Sequence, residues 1–207
     1  SRMVSFLAEK AARAINANEL LARVGALYHD IGKTLKPEYF IENQAGIRNP
    51  HDKISPYMSA LIIQSHVREG IDLAKKHKIP AEIFEIIQQH HGTDLIKYFY
   101  EEAKKLDGED IDEQKFRYPG PKPQTKEAGI IMLADAVESA TRSLQEPTAS
   151  RIKNMTKKVV KNKFVSGELD ESELSMRDLT TIEDSFVPLL TAFYHSRIPY
   201  PEKDEKK

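Results

Sequence analysis

Helical periodicity runs through almost the whole chain and limits the folds that it can form. The first stretch shows the pattern, because apolar residues from Val4 to Ile15 recur at spacings of three and four, as on the buried face of a helix. Signals for β-hairpins are almost absent. We therefore predict an all-α fold, a compact multi-helix bundle. Helices are predicted over residues 4–15, 19–30, 56–78, 80–91, 93–106, 128–144, 148–166 and 179–195.

Two stretches interrupt this pattern. Residues 36–54 mix proline, asparagine and glycine, which predicts irregular backbone with one short helical turn. Residues 107–126 have little apolar content and contain Gly108, Gly120 and three prolines. A connection of this length inside a compact domain is uncommon, so we expect one long irregular loop that is either disordered or a functional flap.

The composition narrows the possible partners and ligands. With 31 Lys+Arg against 32 Asp+Glu, the 207-residue chain has no overall charge that would attract a nucleic acid polymer or an anionic membrane. Cysteine is absent, which excludes disulfides and thiolate metal sites and leaves His, Asp and Glu as the strong ligands. No apolar run of about 18 residues and no signal peptide is present.

The chain length fits a single domain. We place it at residues 1–198 and expect a charged C-terminal tail over residues 199–207. The first helical pattern has no start signal or cap before Val4, so the domain begins inside its first helix. We therefore expect the chain to be a piece of a longer protein. The sequence leaves the oligomeric state open.

Polar residues that can bind metals occupy positions where the helical pattern predicts burial or the end of a buried helix. Taken singly, each is more often a hydrogen-bonded core or cap residue than a ligand. An embedded carboxylate such as Asp135 needs a compensating positive charge, which a metal can supply. Four imidazoles and two carboxylates match two octahedral Mn or Fe ions better than one tetrahedral zinc. The candidate ligands are His29, Asp30, His66, His90, His91 and Asp135.

Five motifs stand out along the chain: His29-Asp-Ile-Gly-Lys33, Pro50-His-Asp-Lys-Ile54, Gln89-His-His-Gly92, Phe116-Arg-Tyr-Pro-Gly-Pro-Lys-Pro123 and Met132-Leu-Ala-Asp135. His29-Asp30 with the downstream Asp135 resembles the HD phosphohydrolase superfamily, a helical family of metal-dependent phosphate ester hydrolases. More narrowly, the five motifs are similar to those of the cytosolic catalytic domain of the seven-transmembrane HD phosphodiesterases, which cleave cyclic di-AMP, and the similarity covers almost the entire chain.

The resemblance implies a binuclear phosphodiesterase that converts cyclic di-AMP to linear pApA. Asp30 would bridge two divalent ions, with His29 and Asp135 on one ion and His66, His90 and His91 largely on the other. A metal-bridging hydroxide would then attack phosphorus in line. The resemblance also implies a location at the cytoplasmic face of the cell membrane, where contact with the membrane is made only through a transmembrane portion absent from this chain.

The chain departs from the family pattern at one position. The family has a further histidine about one helix before the His-Asp pair, whereas no histidine precedes His29 here. Its expected place falls at or just before Ser1. Either the given sequence starts too late to include this ligand, or the domain lacks it.

Further residues are candidates for contact with the substrate. Lys33 is expected to contact a phosphate directly, with a solvated lysine at a helix end as the equally weighted alternative. His51 is placed at the substrate rim. Arg117 and Tyr118, with Phe116, form an aromatic and cationic cluster that could stack on an adenine and touch phosphate. Arg142, two turns beyond Asp135, could reach a phosphate, although a surface ion pair is the commoner outcome.

Three other functions compete with cyclic di-AMP hydrolysis. Cyclic di-GMP phosphodiesterases of this superfamily carry Gly-Tyr-Pro soon after the paired histidines, whereas this chain reads His91-Gly-Thr-Asp94. By family analogy alone, this favours the adenine nucleotide. Hydrolysis of another nucleotide is a second alternative. The third is a nucleotide-sensing module whose metal site is catalytically incomplete.

Overall fold

The structure, a computed structural model, describes residues 2–44 and 48–195. Within these ranges the chain forms α-helices and short 3-10 turns and contains no β-strand, so the predicted all-α class is confirmed. The predicted tail at residues 199–207 lies outside the described residues. The helices are α1 (Arg2–Ala14), α2 (Glu19–Tyr28), α3 (Pro56–Lys76), α4 (Ala81–Gln89), α5 (Lys97–Asp107), α6 (Lys126–Arg142), α7 (Ala149–Val165) and α8 (Met176–His195).

Side-chain caps explain where several of these helices begin. Ser55 precedes Pro56, and its hydroxyl accepts a hydrogen bond from the backbone N–H three residues later. Thr125 and Thr148 cap α6 and α7 in the same way. Such caps satisfy backbone donors that the first turn leaves unpaired. The starts of α3, α6 and α7 therefore agree closely with the sequence-based prediction.

Helix α6 forms the centre of the main hydrophobic core. Five consecutive residues of α6, Ile130 to Ala134, are almost fully buried. A helix that is apolar on every side must be surrounded, and α1, α2, α4, α7 and α8 all pack against it. The next residue is Asp135, so the core helix carries a carboxylate directly after its most buried segment.

Helix α3 lies beside the main core and supports the segment that follows α2. It packs against α4, α5 and the 3-10 turn Ile31–Leu35. Residues 36–54 are predicted to be irregular with one short turn. The described part of this stretch, 36–44 and 48–54, contains three separate 3-10 turns at Pro37–Tyr39, Ile41–Asn43 and Pro50–Lys53. Within the described chain, no helix is both long and apolar enough to cross a membrane.

The long loop at 107–126 is folded onto the domain. Phe116 is fully buried against Tyr57 and Tyr100, so the expectation that Phe116 takes part in adenine stacking is wrong. The predicted helix over 93–106 begins only at Lys97. Residues 93–96 instead pair with the loop, as the backbone N–H of Ile96 donates to the carbonyl of Phe116 over 2.8 Å. This pairing provides hydrogen-bond partners for backbone groups that lie before the first residue of α5.

Candidate metal centre

The His29-Asp30 pair lies where α2 ends. The helix stops at Tyr28, His29 forms its C-cap, and Asp30 opens the 3-10 turn that follows. That turn packs against α3 at Gly32, where the two backbones are in close contact. His66 is in the middle of α3, and His90 is the C-cap of α4. Three separate helices therefore bring their imidazoles to one point.

Hydrogen bonds to the backbone fix the orientation of three of these imidazoles. In each ring Nδ1 lies within hydrogen-bonding distance of the carbonyl oxygen three residues earlier, which places the proton on Nδ1 and turns Nε2 towards the centre. Metal-binding histidines commonly use this arrangement, because the hydrogen bond fixes both tautomer and ring direction. The pairs are His29 with Ala26 at 2.7 Å, His66 with Ile63 at 2.6 Å, and His90 with Ile87 at 2.8 Å.

Asp30 lies between two groups of possible ligands. Its Oδ2 is 3.1 Å from Nε2 of His29. Its Oδ1 is 3.5 Å from Nε2 of His66 and 3.7 Å from Nε2 of His90. In each group the donor atoms lie within 4.8 Å of one another. One group is His29, Asp30 and Asp135, and the other is Asp30, His66, His90 and His91.

The donor set fits a cation. Nε2 of His66 is 3.3 Å from Nε2 of His90, and because Nδ1 of each ring faces a backbone carbonyl, the two Nε2 atoms present lone pairs to each other when each ring carries its proton on Nδ1. Nε2 of His29 and Oδ1 of Asp30 are buried without a hydrogen bond of good geometry. Buried polar atoms in native proteins normally have a partner. A positive ion would remove the lone-pair repulsion and satisfy both atoms.

The electrostatics of the two groups differ. Burial lowers the pKa of His29, but the carboxylates of Asp30 and Asp135 outweigh it and raise the pKa to about 10. Nε2 of His29 is 3.5 Å from the nearer oxygen of Asp135. Burial lowers the pKa of His66 to about 3. His66 is therefore neutral and ready to donate a lone pair at neutral pH, whereas a metal bound by His29 replaces a proton.

His91 is held differently from the other imidazoles. Its ring makes no hydrogen bond among the described residues but stacks on Tyr118, with centroids 4.2 Å apart and planes inclined by 17°. The adjacent ring of His90 is 4.0 Å away. Burial and the nearby His90 and His66 lower the pKa of His91 well below its ordinary value.

The candidate ligands open onto a cavity of about 960 Å³. The cavity is lined in part by Asp30, His66, His91 and Asp135, so a molecule that enters it can reach these candidate metal ligands. A volume of this order is at the upper end of the range for small-molecule sites. Val4 also lines the cavity, so the first turn of α1 faces it. The expected place of the upstream histidine, at or before Ser1, lies outside the described residues.

Most of the predicted substrate-contact residues also line this cavity. The ammonium of Lys33 is 2.8 Å from Oδ2 of Asp30 and 2.9 Å from Oε1 of Glu42. His51 packs against the ring of Phe99, and its Nε2 is 2.9 Å from the carbonyl oxygen of Tyr39. The cavity-lining members of the predicted set are Lys33, His51, Tyr118 and Arg142.

Arg117 is the exception among the predicted contacts. Its guanidinium pairs with Glu113 and donates to the carbonyl of Thr93 over 2.9 Å, and the residue does not line the cavity. Arg117 therefore fastens the loop to the turn after α4, and the structure does not place it at a substrate. Arg142 does line the cavity, but it also forms an ion pair with Glu138 one turn earlier, as the alternative interpretation of the sequence predicts.

Sequence reasoning missed Glu42. This carboxylate lines the cavity and pairs with Lys33. It lies in the irregular stretch between α2 and α3, where no periodic pattern indicates which side chains point inward. An ion pair between an irregular segment and a helix end has no signature in the spacing of the residues.

The fold and this site define a member of the HD domain family. The family model for the HD domain matches residues 1–140, and the chain belongs to this family. HD domains are metal-dependent, and the His/Asp cluster described above has suitable donors for a metal.

Particular relatives narrow the comparison. The chain is 49% identical over 206 residues to the cyclic-di-AMP phosphodiesterase PgpH of Bacillus subtilis, covering 100% of this chain and 29% of that protein. It is 46% identical over 202 residues to PgpH of Listeria monocytogenes, covering 98% and 28%. The crystal structure of the L. monocytogenes PgpH HD domain in complex with cyclic-di-AMP superposes with a TM-score of 0.90 at 45% identity, covering 96% of this chain and 92% of that one. The chain thus spans less than a third of the length of these two curated relatives.

Proposed function

We propose that this chain is a metal-dependent phosphodiesterase domain that hydrolyses cyclic di-AMP to linear pApA. The observation that carries the proposal is the 3.3 Å approach of Nε2 of His66 to Nε2 of His90 beside Asp30, because two facing lone pairs and a carboxylate favour a bound cation. The names of the PgpH relatives supply the substrate. The cavity above these residues supports binding of a molecule as large as a dinucleotide.

We infer that two divalent transition ions bind here, with manganese and iron favoured by the nitrogen and oxygen donors. Asp30 would contribute one carboxylate oxygen to each ion. His29 and Asp135 complete one group, and His66, His90 and His91 complete the other. When bound, such ions supply Lewis acidity towards phosphate oxygens and lower the pKa of a water that serves as nucleophile.

The chain's own residues would bind and orient the substrate. Lys33 lies at the cavity wall beside Asp30, so its ammonium can hold a phosphate oxygen near the ligand groups. Arg142 adds a second cation to the wall. His51 lies with Phe99 in an aromatic part of the lining, which suits contact with a nucleobase. These contacts would fix the phosphodiester before attack.

We also propose that the domain works at the cytoplasmic face of the membrane as part of a longer membrane protein. The support is the length of the relatives, of which this chain covers 29% and 28%, together with the family resemblance.

The test is metal analysis combined with turnover. A version of the protein extended upstream to include the expected histidine is loaded with Mn²⁺ and assayed on cyclic di-AMP and cyclic di-GMP by chromatography of the products. We expect two ions per chain and formation of pApA. His66→Ala should abolish turnover, whereas His77→Ala, on the exposed end of the same helix, should leave it unchanged.

Each of the alternatives has its own outcome. Preferential cleavage of cyclic di-GMP would overturn the assigned base. Tight binding of cyclic di-AMP without turnover by the metal-loaded, extended protein would identify a sensor and overturn the enzyme. A protein that takes up no metal and stays inert on both nucleotides would refute the proposed function altogether.

A further inference from the structure

The four imidazoles of the candidate centre are not oriented in the same way. His29, His66 and His90 each have Nδ1 within 2.8 Å of a carbonyl oxygen of their own helix. Within the described chain the ring of His91 has no such bond. A ligand without this restraint can rotate about its side-chain bonds, and rotation lowers metal affinity. Something else must therefore determine the direction of the His91 ring.

Aromatic contacts surround His91 instead. Tyr118 stacks on one side with centroids 4.2 Å apart and an inclination of only 17°. His66 approaches edge-on at 5.1 Å and 90°. Offset stacking of this kind is favourable beyond the area that it buries. The Tyr118 ring lies nearly parallel to the His91 ring, and Tyr118 is not itself a candidate metal ligand.

The backbone holds Tyr118 in register with His91. The N–H of Tyr118 donates to the carbonyl of Asp94 over 3.0 Å, and the N–H of Asp94 donates to the carbonyl of His91 over 3.1 Å. Phe116, two residues before Tyr118, is fully buried. Backbone hydrogen bonds therefore join the turn that carries His91 to the loop that carries Tyr118, and they hold the Tyr118 ring against His91.

We propose that Tyr118 is a positioning residue for His91 and thereby sets the affinity of the ligand group formed by Asp30, His66, His90 and His91. The group of His29, Asp30 and Asp135 does not depend on it, because Tyr118 stacks on none of its members. This inference rests on the proposed metal centre. It assigns Tyr118 to the orientation of His91, a candidate metal ligand, whereas the sequence suggests that Tyr118 stacks on an adenine.

The test measures metal affinity directly. Mn²⁺ binding is followed by titration calorimetry and metal analysis in the parent, Tyr118→Phe and Tyr118→Leu proteins, with the upstream histidine included. Tyr118→Phe keeps the ring and should keep both affinities within about twofold. Tyr118→Leu should lower the affinity for one of the two ions about tenfold, since aromatic pairs of this kind contribute energies of that order. The affinity for the other ion should be unchanged.

Two backgrounds identify which ion is affected. In His29→Ala, which retains the group containing His91, Tyr118→Leu should still weaken the remaining ion. In His66→Ala, which impairs that group, Tyr118→Leu should have little further effect, because the two changes act on the same site. Circular dichroism confirms folding, and Tyr118→Met replaces Tyr118→Leu if the latter does not fold.

The possible results separate the two proposals. Equal affinities in Tyr118→Leu and the parent overturn the positioning role and leave the metal centre intact. A loss in Tyr118→Phe as large as in Tyr118→Leu assigns the effect to the hydroxyl and also overturns it. A parent protein that binds no ion instead overturns the proposed function on which this inference rests.

Discussion

The α-carbon of Gly32 lies directly against the backbone of His66. A Cβ built on Gly32 would be 1.9 Å from the carbonyl oxygen of His66 and 2.6 Å from the backbone nitrogen of Gly70. No side chain fits at such distances, so the glycine in the His-Asp-Ile-Gly-Lys motif allows the turn carrying Asp30 to dock on α3. This packing determines the 3.5 Å distance between Oδ1 of Asp30 and Nε2 of His66.

The first prediction follows from this contact. Gly32→Ala should force the 30–35 turn away from α3, lowering the free energy of unfolding by about 1–3 kcal/mol, as overpacking does, and reducing metal content. Urea denaturation and metal analysis measure both effects. Gly108→Ala is the control, since nothing lies within 4 Å of its Cβ position; its positive φ should cost stability without affecting metal. Unchanged metal content in Gly32→Ala would contradict the proposed role.

Asp30 is the residue shared by both ligand groups. Asp30→Asn should therefore reduce the content of both ions and lower kcat by at least about a hundredfold, because metal ions contribute several kcal/mol to such reactions. Asp135→Asn should weaken one ion only. Asp52→Asn, at an exposed position outside both groups, should match the parent in metal content. Full retention of both ions in Asp30→Asn would show that the carboxylate is not shared.

Lys33 is expected to act on the substrate and not on the ions. Lys33→Ala removes the ammonium beside Asp30 and should lower kcat by about 10–100-fold, the scale of a lost charged contact, with metal content nearly unchanged. Steady-state kinetics and metal analysis on the same preparation distinguish the two effects. Activity equal to that of the parent would show that Lys33 forms ion pairs with Asp30 and Glu42 without contacting the substrate.

Glu42 forms an ion pair with Lys33, the cation that is proposed to bind a phosphate of the substrate. Its Oε1 is 2.9 Å from the ammonium of Lys33, and both side chains line the cavity. A phosphate approaching Lys33 competes with this carboxylate and is repelled by its charge. Glu42→Gln should therefore lower KM for cyclic di-AMP about threefold or more, a change equivalent to less than 1 kcal/mol. Glu38→Gln, exposed in the same segment and outside the cavity, is the matched control. A higher KM in Glu42→Gln would indicate that the carboxylate positions Lys33 for binding.

The residues that were predicted well share a strong local signal. Ser55 and Thr125 precede apolar periodic segments, so their caps could be read from the sequence. His66 and Asp135 interrupt apolar faces, which marked them as unusual. In the structure each of these residues lies where its local pattern indicates.

The residues that were predicted poorly depend on contacts between distant segments. The sequence predicts Arg117 at the substrate because a cation beside aromatic residues can contact a nucleotide, but the sequence of a loop does not determine the direction of the side chain. The structure turns it towards Glu113 and Thr93, since the loop pairs with residues 93–96. Because of this pairing, α5 begins later in the sequence than predicted and Phe116 is buried. Nothing in the spacing of either segment predicts that the two would meet.

The last prediction concerns stability and pH, away from the metal centre. Asp178 lies in the first turn of α8 and forms reciprocal hydrogen bonds with Ser175: the N–H of Ser175 donates to Oδ2 over 3.0 Å, and the N–H of Asp178 donates to the Ser175 hydroxyl over 3.1 Å. The backbone hydrogen bond from Ser175 has the largest effect on the pKa of Asp178, and together with the Ser175 hydroxyl and Lys126 it outweighs the effect of burial and lowers that pKa. This is a capping box.

Because the folded pKa of Asp178 is lowered, its carboxylate stabilises the fold above the unfolded pKa of about 4, and this contribution is lost as the pH falls through the folded value. At pH 7, Asp178→Asn should lower the free energy of unfolding by about 1 kcal/mol. The difference from the parent should shrink below about pH 4. Urea denaturation at pH 7, 5 and 3.5 measures it, with Asp184→Asn, exposed on the same helix, as a control expected within about 0.5 kcal/mol. A difference that is constant with pH would mean that the side chain acts by shape alone and that its charge contributes nothing to the cap.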